Sequence, residues 1–253
     1  MADLKAICYE RNFLKEVVAR IDLAAPVEGL EATLPDKLND VALANFPLRE
    51  PRHAVARELQ ISAKAVEEKR SEFTEWVFHG RLREKTLSIA PEWVYVSHKQ
   101  YDRYEQFRDE FLDVASAFVV EFPAAGYNRL GLRYINQFEL PDGDPTDWSG
   151  YLNDSMLPLF GLAGRPAQLT RAMHYTEFAE GDHQVRLQYG MHNPDFPAPV
   201  RRKLFVVDID AFRSGLFQHG ELATLLNTFH QTAQEVFEDA ITAKMREVLG
   251  AKV

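Results

Sequence analysis

The 253-residue chain has one cysteine, Cys8, so it can form no internal disulfide and offers no cysteine pair at metal-ligand spacing. It also lacks a long apolar run. The stretch "VASAFVV" is closed by Asp113 and Glu121 and falls far short of a bilayer span. The opening "MADLKAICYERNF" has no apolar signal-peptide core, so the expectation is a cytoplasmic protein without a membrane segment. Basic excess is missing as well. A formal net charge of −9 disfavours a nucleic-acid surface, a local basic patch aside. The chain contains no G-x-x-x-x-G-K-[ST], G-x-G-x-x-G, H-E-x-x-H or G-x-S-x-G. No cofactor, metal set or catalytic constellation is therefore expected, and the balance leans away from an enzyme.

What remains is the composition of an ordinary globular protein, 46% hydrophobic and 26% charged. Residues 13–24 alternate Phe13, Val17, Ala19, Ile21 and Leu23 against Glu16, Arg20 and Asp22, which predicts a half-buried strand. An Asp/Asn-rich start and Pro47 bracket a short helix in 34–47. Extended segments follow from about His53 to Lys99. In 101–122 the period changes: Tyr104, Phe107, Phe111, Val114, Ala115, Phe118 and Phe122 recur at helical spacing. The second half repeats the order, with a strand at 128–140 and a helix-like "DWSGYLNDSMLPLF" (147–160). Strands follow around 168–179, 183–192 and 202–212, and a long helix runs from Glu221 to the end.

The expected fold is α+β, with two similar halves, 1–124 and 125–253, forming one compact unit. Each half reads strand, helix, antiparallel strands, long helix, with the sheet covered by its helices. The order is not the βαβ alternation of a parallel doubly wound sheet.

Two tempting motifs dissolve on inspection. "GLAGRP" (161–166) has no feeding strand and no lysine, and reads as a loop. "PDGDPTD" (141–147) lacks EF-hand spacing and reads as a polar turn capping the next helix. His174, His192 and His230 stand at no ligand spacing and read as structural or solvent-facing.

The candidate site comes from two strands. "KLFVVDIDAF" (203–212) is apolar on both faces yet carries Asp208 and Asp210, which predicts a central strand whose carboxylates need partners. Arg129 and Arg133, at i and i+4 on "NRLGLRYINQFEL", are the proposed cations, since a guanidinium fork meets a carboxylate with two bonds. Gly131 between them leaves room for a close approach, and Asn136 is a polar group on the apolar face. Arg129, Arg133, Asn136, Asp208 and Asp210 are the candidate site residues: the arginines and aspartates form an ion-pair ladder that holds the sheet in register, line a ligand cleft, or do not meet at all.

Tyr101, Tyr104, "RLGLRYIN" (129–136), "DID" (208–210) and "FEDAIT" (237–242) with Arg246 occur in this order. In them the chain resembles a sporadically distributed prokaryotic protein family of about this length. The resemblance covers nearly the whole chain; "NFLKEVVARIDL" also fits, though Asn12-Phe13 replaces a common Ala-Pro pair. It carries over no catalytic role. It implies patchy occurrence, as for mobile genes that serve conflict or accessory systems.

Three readings of function follow. The first is a cytoplasmic binding or interaction protein, immunity-like in character, that takes a protein partner or a small anionic ligand. The second is an enzyme on an anionic, nucleotide-like substrate, with the arginines gripping the anion and the aspartates placing a divalent metal. The third is a scaffold that forms a homodimer through the last helix.

Overall fold

The computed structural model of the chain describes residues 8–11, 13–61, 66–158 and 168–252. "GLAGRP" lies outside them. Among the described residues the chain is mixed α/β, with four α-helices and a ten-stranded antiparallel sheet. In chain order the elements are β1 (Cys8–Tyr9), β2 (Leu14–Leu23), α1 (Asp36–Asn45), β3 (Leu48–Arg49), β4 (Arg52–Ile61), β5 (Val66–His79), β6 (Lys85–Ala90) and β7 (Trp93–His98). Then come α2 (Tyr104–Glu121), β8 (Tyr127–Leu140), β9 (Ala172–Glu180), β10 (His183–Met191), β11 (Lys203–Phe217), α3 (Leu222–Ala240), α4 (Ala243–Leu249) and β12 (Ala251–Lys252). None of the described helices is long and apolar enough to cross a membrane.

Contacts divide the chain into two compact units that are discontinuous in sequence. One comprises 18–131 and 214–226, the other 1–17, 132–213 and 227–253.

In the first unit the strand order is β3-β5-β6-β7-β2-β8, with β4 paired to β5. Strand β2 alternates as its sequence requires: Val17, Ala19, Ile21 and Leu23 are buried while the residues between them are not. Helix α2 lays Phe107, Phe111, Val114, Ala115 and Phe118 inward, and the Phe107 ring meets His98 of β7 edge-on at 4.9 Å.

The same helix face carries a buried carboxylate, Glu110. Lys85 Nζ donates to both of its oxygens at 2.9 Å, Gln106 Nε2 donates at 3.0 Å, and His98 Nε2 stands 3.1 Å from Oε2. Burial alone would raise the Glu110 pKa. The contacts from His98, Gln106 and Lys85, with the Lys85 charge, outweigh it and hold the value at about 2.

In the second unit the order is β2-β8-β11-β10-β9, with β1 and β12 as a separate short pair. Helix α3 covers one side of these strands. His183 of β10 sits 5.3 Å from Phe229, Tyr134 of β8 bonds His230 at 2.8 Å, and Phe138 packs on Phe237. Arg246 of α4 donates to the buried Glu238 through Nε at 2.8 Å, and the Tyr9 hydroxyl donates to the same carboxylate.

Two elements differ from the sequence expectation. The helix read in 147–160 is absent from its described part, where turns lead into a 3₁₀ turn at Asp154–Met156. The cause is local: Asp144, Asp147 and Asn153 each accept the backbone N–H two residues on, at 2.8, 2.9 and 3.0 Å. These short side-chain bonds compete with helical ones. The long C-terminal helix is two helices, interrupted at Ile241–Thr242. Thr242 caps α4 by accepting from Met245 N–H at 3.3 Å and donates to the Gly150 carbonyl at 2.6 Å.

Glu110→Gln should cost about 2 kcal/mol of stability at neutral pH in urea unfolding. Because the folded-state pKa is depressed, Glu110's contribution is present above the ordinary carboxylate range and is lost as pH falls toward 2. The variant should flatten that acid limb; an unaltered limb would show that the cluster does not govern it.

Candidate functional site

Strand β11 lies between β8 and β10, and its two faces differ in chemistry. Phe205, Val207 and Ile209 are fully buried on the α3 side, while Asp208 and Asp210 are buried on the other. Arg133 of β8 meets Asp208 with both prongs of its fork, Nε to Oδ1 at 2.8 Å and Nη2 to Oδ2 at 2.5 Å. The guanidinium pKa is raised, first by these bonds and further by the charges of Asp208, Asp210 and Glu16.

Asp210 pairs across the ladder with Arg186 of β10, whose Nη1 lies 3.8 Å from its Oδ2. Arg186 in turn donates through Nε to the Tyr175 hydroxyl at 2.9 Å and to Glu177 at 3.2 Å, both on β9. Tyr175 donates to Glu177 at 2.5 Å. The result is a row of alternating sign across five strands: Glu16, Arg133, Asp208 with Asp210, Arg186, Glu177.

Of the sequence candidates, then, Arg133, Asp208 and Asp210 come together in this row. Asn136 stands on the α3 face of β8, and its Nδ2 donates to the Val207 carbonyl at 3.3 Å, so it serves β11's backbone. Arg129 belongs to the other unit, where its Nη1 lies 3.8 Å from Asp22, itself bonded by Arg20 Nε at 2.7 Å. Gly131 makes room for Arg129 itself: a Cβ there would stand 2.7 Å from Arg129 Nη1.

Arg186 and Glu177 were not among the sequence candidates, yet a signal for them exists. Glu180 and His183 flank a two-residue turn, Gly181-Asp182, with Gly181 at φ +60°. Such a turn fixes the register, and counting back three residues from each flank sets Glu177 opposite Arg186.

Among the described residues β9 is the last strand of the order, and from Tyr175 to Glu180 every residue is exposed. A two-residue turn makes Glu180 and His183 a hydrogen-bonded pair, so bonding to β10 alternates from there. The backbone N–H and C=O of Met173, Tyr175 and Ala179 therefore point away from β10. Apolar side chains flank that open row: Met173 is 42% exposed, Tyr175 59% and Phe178 36%.

No group of three or more His, Cys, Asp or Glu able to hold a metal occurs among the described residues. Compared with known families and curated proteins, the chain matches no family model and no curated protein.

Arg133→Met should cost about 2 kcal/mol in urea unfolding, because it leaves the buried Asp208 without its cation. Asp208→Asn should cost a similar amount. The double variant should fall well short of the sum, with a coupling near 1–2 kcal/mol. Additive losses would show that the pair does not act as a unit.

Proposed function

We propose that this chain is a binding protein that takes a protein partner at the β9 edge, in a cytoplasmic setting. The observation that carries the reading is the exposed nine-residue strand that ends the order among the described residues, with its outward backbone row. Edge strands are ordinarily blunted by proline, lysine, a bulge or a covering segment, because a bare one recruits another chain. Strand β9 has neither proline nor lysine in AMHYTEFAE, and it presents Met173, Tyr175 and Phe178 beside its open side. An added strand would gain main-chain bonds from the edge and specificity from those side chains.

The charged row supports the same division of labour. Asp208 has both oxygens engaged by Arg133, so a metal or an anion at that place would first have to break a two-bond ion pair. An enzyme acting on an anionic substrate is accordingly the weaker alternative, and the row is read as architecture that holds β8, β11, β10 and β9 in register. The resemblance to a sporadically distributed prokaryotic family fits an accessory or immunity-like partner. The order strand, helix, strands, helix holds in 1–124, and 125–253 shares its strand, later strands and long helix with a 3₁₀ turn where the first helix would stand, which supports reading the chain as two similar halves.

Ala179→Pro tests the reading. It removes one outward N–H and leaves the β9–β10 bonds in place, as proline on an outer strand position allows. The parent protein used as bait in its source cells should retain a stoichiometric partner that protects residues 172–180 from deuterium exchange. The variant, melting within a few degrees of the parent, should lose that partner. Retention by the folded variant, or protection elsewhere with none at β9, would overturn the proposal.

A further inference from the structure

An open cleft of about 270 Å³ lies at the turn end of β9, between the turn residues 180–183 and helix α3. Its carboxylates are Glu180, Asp182 and Glu235, and Thr228, Gln231 and Thr232 complete the wall. Among the described residues one cation approaches the rim, with Arg213 Nη1 3.7 Å from Asp182 Oδ2, and the described lining stays net negative.

His183 adds an independent observation. Its side chain is 4% exposed, it lines the cleft, and its Nε2 lies 3.1 Å from Thr232 Oγ1. The His183 Nδ1 has no hydrogen-bond partner among the described residues and lies 3.5 Å from Asp182 Oδ1. A buried side chain with one ring nitrogen unpartnered marks the cleft as a polar place, and three carboxylates against one arginine make it complementary to a positively charged donor.

The cleft and the edge share one face. Cross-strand partners point to the same side, and His183, the partner of Glu180, touches Thr232 and Phe229 of α3. The even-numbered residues of β9, Phe178 and Glu180 among them, therefore face the α3 side. A strand added about 4.8 Å beyond β9 would place the side chain opposite Phe178 or Glu180 on that side, beside the cleft.

Resting on the proposed edge binding, we infer that the β9 partner is an extended segment carrying a lysine or arginine whose head group enters the Glu180–Asp182–Glu235 cleft. A second copy of this chain adding its own β9 fits less well, since that strand contains neither lysine nor arginine and brings Glu177 and Glu180 instead.

Panning a random nonapeptide phage library against the full chain tests this. The recovered peptides should share a lysine or arginine at one fixed position among alternating apolar residues. A synthetic recovered peptide should lose at least about tenfold in affinity for the double variant Asp182→Asn/Glu235→Gln, and as much when norleucine replaces its cation. These surface substitutions leave the backbone and core intact, which thermal melts verify. Peptides with no fixed basic position, peptides indifferent to the double variant, or no recovered peptides would each overturn the inference. If peptides without a cation still fail to bind Ala179→Pro, the edge reading stands and only the cation falls. If recovered peptides bind Ala179→Pro as well as the parent, the edge reading falls with it.

Discussion

A carboxylate on an interior strand has to be met by a cation, and in this chain that requirement organises the strands around β11. Asp208 and Asp210 sit buried beside one another, and unpaired they would cost several kcal/mol each. Arg133 answers from one side and Arg186 from the other, so the aspartates tie β8, β11 and β10 together, and Arg186 extends the row to β9 through Tyr175 and Glu177. A one-residue slip of any of these strands would turn its charge toward the α3 face, against Phe205, Val207 and Phe229. The ion pairs thus specify register more than they add stability.

The same satisfaction of charge separates architecture from interaction. The middle of the row is saturated, with forks and hydroxyls aimed at carboxylates within the unit. At the far end of the order the accounts of the backbone differ. Strand β9 is held on one side by its two-residue turn and nine ladder pairs with β10, while Met173, Tyr175 and Ala179 turn their amides outward. The proposed binding surface lies where the hydrogen-bond pattern stops among the described residues, beside a cleft whose charge the row does not neutralise.

Much of this was legible in the sequence, for identifiable reasons. Strand β2, helix α2 and strand β8 carry strong periodicity, and the two-faced apolar pattern of 203–212 marked an interior strand. Short-range competition defeated the helix read in 147–160, where three Asp or Asn side chains capture neighbouring amides. The break at Thr242 was hidden because Ile241 and Met245 continue the apolar stripe of α3. In the site, Arg129 and Arg133 look equivalent at i and i+4, yet one lies near Asp22 and the other grips Asp208. Which strands become neighbours decides that, and periodicity along one strand does not encode it. Arg186 was within reach, since a two-residue Gly-Asp turn fixes which residues face each other across the hairpin.

Residue-resolved amide hydrogen exchange on the free protein tests the open edge most directly. Met173, Tyr175 and Ala179 should exchange at rates near those of exposed amides, while Thr176 and Phe178, bonded to β10, should be protected by orders of magnitude. Uniform protection from 172 to 180 would mean that the edge is already covered, and would contradict a binding surface there.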